Sequence, residues 1–219
     1  KFAEAASGSL PTTSASNVDD FDILDVDGDF DLDILINPHV GNVILWINDG
    51  SGHFTDATGL PAQGGGNHYD PAVCDVDGDG DVDILVDNVG PNYKEQLLIN
   101  NGDGTFTDKT AQITGNTSED DNGVACIDYD GDGDFDIVVP SLTSNGERVF
   151  QNDGTGHFAL VTGAFTPIQD GTLWIDFGDF TGDGRLDAVT GQGEATDLDN
   201  VYFGTDAVAV DTRAPNPSP

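Results

Sequence analysis

Basic residues are scarce in this sequence: six Lys and Arg stand against 41 Asp and Glu, a formal net charge of −35. Such a surface repels phosphate backbones and acidic headgroups, which argues against nucleic acid and anionic lipid as partners. No apolar run approaches the roughly 18 residues of a spanning helix, so membrane insertion is not expected. No 3.6-residue apolar period appears either, and helix should be nearly absent. Zinc would need His or Cys at fixed spacing, and the sequence has none. Nucleophile elbows, phosphate loops and isolated carboxylate pairs are also missing, so no enzyme activity is expected. The sequence opens at Lys1 rather than Met, as a processed or excised segment would.

Cysteine is limited to Cys74 and Cys126, 52 residues apart. They fall one and two residues before the first aspartate of the acidic loops described next. Alternation along a strand then points them to opposite faces, which favours two small buried hydrophobes over a disulfide and leaves the redox compartment open.

What the chain has in abundance is aspartate at alternate positions. Asp75, Asp77, Asp79, Asp81 and Asp83 fall within nine residues and run straight into Ile84-Leu85-Val86. The pattern recurs as Asp25, Asp27, Asp29, Asp31 and Asp33, as Asp128, Asp130, Asp132, Asp134 and Asp136, and, modified, as Asp179, Thr181, Asp183, Arg185 and Asp187. So many carboxylates would repel one another unless a cation sat among them. Oxygen-only ligands in a crowded flexible loop suit Ca²⁺ better than octahedral Mg²⁺. Positions one, three, five and nine can supply side-chain oxygens, and position seven a backbone carbonyl. Glycine at position six (Gly80, Gly133, Gly184) lets the chain turn; Phe30 replaces it in the first loop, whose turn should therefore differ. In the fourth loop Thr181 is a weaker ligand, and Arg185 can serve only through its carbonyl. An EF-hand is excluded, because its twelfth position is acidic and these are Ile36, Val86, Val139 and Thr190. Up to four calcium ions are expected, one per loop, with a structural rather than a catalytic role. Each loop is self-sufficient and repeated.

The loops belong to a longer repeat. Phe2, Phe54, Phe106 and Phe158 are spaced by 52 residues, and the last three close Asn-x-Gly-x-Gly-x-Phe hairpins. In the second repeat, strands are expected over His68–Asp75, Val82–Asn88, Gln96–Asn100 and Thr105–Thr110. Four-stranded units repeated at this period predict an all-β fold, a β-propeller of four blades of antiparallel strands spanning residues 1–205. The N-terminal strand, Phe2 to Ala6, is expected to complete the last blade or a neighbour's. Residues 206–219 read as a C-terminal tail or Pro-rich linker.

These units resemble the FG-GAP/VCBS repeats of integrin-α-type propellers and of many bacterial surface and secreted proteins. The resemblance rests on the Asp-x-Asp-x-Asp-Gly-x-x-Asp loops, the Ile-Leu-Val strands after them and the Asn-x-Gly-x-Gly-x-Phe-Thr-Asp hairpins, over about residues 1–205. It implies Ca²⁺ between the first two strands of each blade and an adhesive or ligand-binding role, with a polysaccharide or a protein as ligand, on a secreted or cell-surface protein. Two alternatives stand beside it: a structural subunit that self-associates by strand exchange, and an accessory domain of a secreted carbohydrate-active enzyme. Outside the loops, Trp46 and Trp174 are expected to pack in the core. His53 and His157 read as exposed strand positions, and Asn116-Thr117-Ser118 is a glycosylation sequon.

Overall fold

In the computed structural model, the described residues are 2–12, 17–143, 146–166, 171–193 and 198–205. They form four sheets built in chain order. The first holds β1 (Val18–Leu24), β2 (Asp33–Pro38), β3 (Ile44–Asn48) and β4 (Phe54–Asp56). The second holds β5 (Ala72–Cys74), β6 (Asp83–Val89), β7 (Lys94–Asn100) and β8 (Phe106–Asp108). Next come β9 (Ile113–Thr114), β10 (Ala125–Ile127), β11 (Asp136–Val139), β12 (Arg148–Asn152) and β13 (Phe158–Val161) in the third sheet. The fourth holds β14 (Thr172–Gly178), β15 (Asp187–Gln192) and β16 (Asn200–Tyr202). All pairings are antiparallel meanders except β9, which runs parallel to the outer strand β13. Among the described residues, helix is confined to single 3-10 turns at Gly90–Asn92 and Thr110–Gln112. The all-β expectation therefore holds, strand boundaries differing by a few residues.

The apolar runs after the acidic loops are continuous, not alternating, because those strands are covered on both faces. In the second sheet Ile84, Val86 and Leu98 join Leu24, Leu35 and Leu45 of the first sheet in one core. Leu85 and Leu97, on the other face, join Ile137, Val139 and Phe150 of the third. The sheets thus stack face to face, each fully buried Leu or Ile contributing roughly 1.5–3 kcal/mol.

This stacking overturns the expectation for cysteine. Cys74 on β5 and Cys126 on β10 form a disulfide, with Cα atoms 6.5 Å apart. Opposite faces of two neighbouring repeats are the faces that meet when the sheets stack. The one-residue offset that seemed to separate the thiols is what aims them at each other.

Completion of the last blade by the N-terminal strand of the same chain is also corrected. Phe2 to Ala6 form no strand, Phe2 is fully exposed, and the fourth sheet has three strands. The segment lies by the first sheet, where the Phe54 amide donates to the Ser9 carbonyl at 2.8 Å. Each outer strand β4, β8 and β13 is delivered by the hairpin just before it. The tail at 206–219 lies outside the described residues.

Both ends of the stack are left apolar. Phe21 (57 % exposed) and Ile23 (56 %) project from the first sheet, Trp174 (60 %) and Val201 (53 %) from the fourth. Core packing is thus wrong for Trp174, whereas Trp46 is part-buried with its ring 6.4 Å from Phe54. The sequon asparagine is engaged, Asn116 Nδ2 donating to the Glu95 carbonyl at 2.8 Å.

Candidate metal centre

The acidic loops join β1 to β2, β5 to β6, β10 to β11 and β14 to β15. Each folds by the same rule. The first aspartate accepts two backbone amides: Gly28 and Phe30 donate to Asp25, Gly78 and Gly80 to Asp75, Gly131 and Gly133 to Asp128, and Gly182 and Gly184 to Asp179, at 2.6–3.1 Å. The fifth residue closes a tight turn, Asp29, Asp79, Asp132 and Asp183 each accepting the amide two residues on. The ninth anchors the loop to its sheet. Asp33 accepts Val26 and Asn48 N–H, Asp83 accepts Val76 and Asn100, Asp136 accepts Tyr129 and Asn152, and Asp187 accepts Phe180 and Gly204.

Position six needs a left-handed backbone, with φ of 96° at Gly80, 98° at Gly133 and 86° at Gly184. Phe30 adopts φ 70° at the same place, with its side chain 93 % exposed. The first loop therefore does not turn differently, as the sequence suggested; it makes the same turn under strain.

Three of the loops gather carboxylate oxygens to within 4.8 Å of one another: Asp25, Asp27 and Asp29; Asp75, Asp77 and Asp83; Asp128, Asp130 and Asp136. This donor set fits the hard cation that the spacing predicts, and those residues would hold it. Asp31, Asp81 and Asp134 point elsewhere. Their carboxylates lie against Gly50, Gly102 and Gly154 of the hairpins, where any Cβ would collide with them. The fourth loop differs, because Arg185 Nη1 donates to Asp183 Oδ2 at 2.6 Å. Here the guanidinium itself offsets a loop carboxylate, a role not foreseen for Arg185. Thr181 Oγ1 lies 3.5 Å from Asp179 Oδ1.

Burial and neighbouring charge set the protonation of these groups. Burial raises Asp83 to about 7 and Asp136 to about 7, against the pull of the two amides each accepts. Asp33 is raised for the same reason. Asp27 and Asp77 are raised by burial and then by their loop neighbours Asp29 and Asp79. A bound divalent cation would supply the missing counter-charge and displace those protons.

The hairpins form part of the site, which sequence reasoning missed. Asn100 Nδ2 donates to the Val82 carbonyl of its own loop at 3.2 Å and to the Val26 carbonyl of the preceding loop at 2.8 Å. Asn152 does the same with Phe135 (2.9 Å) and Val76 (2.7 Å). Gly104 and Gly156 lie where a Cβ would come 3.3 Å from the Cβ of Asp27 and Asp77. The second and third hairpins therefore each hold two loops, their own and the one before, whereas Asn48 of the first reaches only its own loop, at the Leu32 carbonyl. The signal was the Asn and second Gly at a fixed place in every hairpin, which read only as turn formers.

Stacked antiparallel meanders, each with an Asp-rich loop between two neighbouring strands, define an all-β repeat protein. The chain belongs to the FG-GAP-like repeat family, whose model matches residues 2–86, 89–139 and 141–190. No curated protein matches it.

Proposed function

We propose that the four sheets are blades of a calcium-stabilised β-propeller that acts outside the cell as a non-catalytic module for adhesion or ligand binding. The observation that carries this reading is the gathering of three carboxylates in each of three loops, at positions one, three and nine in two of them and one, three and five in the first, with a buried ninth aspartate in all. Folding and metal binding are then linked: at free Ca²⁺ 100-fold above Kd each site adds about 2.7 kcal/mol. Sites of extracellular modules bind in the ~10⁻⁴ to 10⁻³ M range, which matches a calcium-rich compartment. The Cys74–Cys126 disulfide supports the same location, since such bonds persist where conditions are oxidising. A polysaccharide or protein ligand would use the surfaces that the loops hold in place, and a glycan array screens the first. The test is a thermal melt in calcium with and without chelator. The midpoint should fall when the metal is removed, and an unchanged midpoint overturns the reading.

A second reading, self-association, draws on the exposed apolar flanks at Phe21, Ile23, Trp174 and Val201. Sedimentation in calcium decides it, a monodisperse monomer ruling it out under those conditions.

A further inference from the structure

Away from the metal loops, β1, β14 and the segments leading into β5 and β10 meet at a cavity of about 340 Å³, lined by Asp19, Asp20, Tyr69, Asp70, Asn122 and Trp174. Every repeat contributes from one place in its sequence. Asp20, Asp70 and Trp174 each stand five residues before the first aspartate of their loop, and Asp19, Tyr69 and Asn122 stand six before. No single repeat could make this site.

Its chemistry is one-sided. Three carboxylates and an amide meet two aromatic rings, and no lysine or arginine lines the wall. Asp19 has a partner of its own, lying 2.7 Å from His39 Nδ1, and the His39 ring meets Tyr69 edge-on at 5.2 Å. Burial, then the neighbouring charges of Asp20 and Asp22 and a hydrogen bond shared with Asp20, raise Asp70 to about 6. Beside them, Oδ2 of Asp22 is buried with no hydrogen-bond partner. Trp174 sits in the middle of a strand with 60 % of its surface exposed, so packing does not account for it.

The size of the cavity discriminates between cations. Its three carboxylates do not gather as a trio with oxygens within 4.8 Å of one another, as the loop aspartates do. A space about ten times the volume of one water molecule leaves a bare metal ion without a full shell of ligands. A positive group on an apolar body fits better: carboxylates meet the charge, and the face of an indole attracts a cation by its quadrupole. A neutral sugar could stack on Trp174 but would leave the surplus negative charge uncompensated.

We propose that this axial cavity binds an organic cation, the ammonium or guanidinium group of a free amine or of a partner's lysine or arginine side chain, between Trp174 and the Asp20–Asp70 pair. The site depends on the convergence of the sheets and not on the calcium reading, so a chelator-insensitive melt would leave it standing.

The test uses the full chain with Trp46→Phe, which leaves Trp174 as the sole tryptophan, in saturating calcium and moderate salt. Choline is titrated against its uncharged isostere 3,3-dimethylbutan-1-ol while Trp174 fluorescence is followed. The expected result is a saturable change with choline alone, weakened roughly tenfold or more by the isosteric Asp70→Asn. Spermidine and N-acetyl-lysine amide then distinguish a free polyamine from a side chain as the source of the cation. Equal responses to choline and the neutral alcohol, or no saturation, would overturn the proposal. So would full affinity in an Asp70→Asn variant whose melt shows it folded.

Discussion

Replacing Phe30 by glycine should stabilise the protein, although it deletes an aromatic ring. Phe30 holds φ 70° at the place where the other three loops have glycine. A left-handed backbone costs an L-residue with a Cβ about 1–2 kcal/mol. The ring recovers little of this, since its side chain is 93 % exposed. Glycine removes the strain but adds freedom to the unfolded chain, a cost of about 0.5–1 kcal/mol. The net gain is about 0.5–1 kcal/mol, or ~1–4 °C in Tm for a chain of this size.

The gain should show in the metal site as well. Phe30 N–H donates to Asp25 Oδ2 at 3.0 Å, as Gly80 N–H does to Asp75. The turn that strains the backbone is therefore the one that aims the first ligand. Phe30→Gly should raise the melting midpoint with and without calcium and tighten the weakest of the calcium transitions in a calorimetric titration. The reciprocal change, Gly80→Ala, should cost about 1 kcal/mol. A lower midpoint for Phe30→Gly in both conditions would refute the strain assignment and show that the exposed ring makes a contact worth more than the turn.

Three further outcomes follow from the same structure. Asn100→Ala removes the donor to Val26 and Val82 and leaves buried carbonyls unpaired; it should cost about 2–4 kcal/mol and weaken calcium binding in the first loop as well as the second, read by melting and by titration. Reducing the Cys74–Cys126 bond, or Cys74→Ser with Cys126→Ser, should cost roughly 2–4 kcal/mol, seen as a lower Tm under reductant. Without calcium, stability should fall as pH rises from about 5 to 8. Asp22 and Asp70 are raised to about 6, Asp83 and Asp136 to about 7 and Asp87 to about 8, so the folded chain keeps protons that the unfolded chain has already lost. Calcium competes with the protons on Asp83 and Asp136, so its stabilising shift should grow over that range; a chelated Tm that rises from pH 5 to 8 would contradict this.

The strands and loops were legible because their causes are local. Ile84-Leu85-Val86 after Asp83 specifies a strand buried on both faces, and alternate aspartates specify a loop that gathers carboxylates. Relations between repeats were not legible in the same way. Face parity alone placed Cys74 and Cys126 apart, and only the stacking of the sheets turns opposite faces toward each other. Arg185 gave no sign that its guanidinium would reach Asp183. Trp174 read as core because it lies in a strand, yet its strand borders an open flank and the axial cavity. Nothing in the sequence pointed to the buried cluster at Arg148, whose Nη2 meets Asp121 at 2.7 Å and Glu95 at 2.5 Å.

The hairpin asparagines change how the loops should be thought of. Taken alone, each acidic loop is a self-contained clip. Yet Asn100 grips the first loop and Asn152 the second, so ordering one repeat helps to order the loop before it. A cation bound in the second loop fixes Asp83, which holds the Asn100 amide, and Asn100 in turn fixes Val26 beside Asp25 and Asp27. Occupancy of one loop is thereby coupled to the geometry of its predecessor through two hydrogen bonds and no long-range motion. Arrays whose units contact only their neighbours gain stability from such nearest-neighbour terms. A cation in these loops would therefore act on the joints between sheets as much as on the sheets themselves, and the cavity lined by all four repeats depends on those joints.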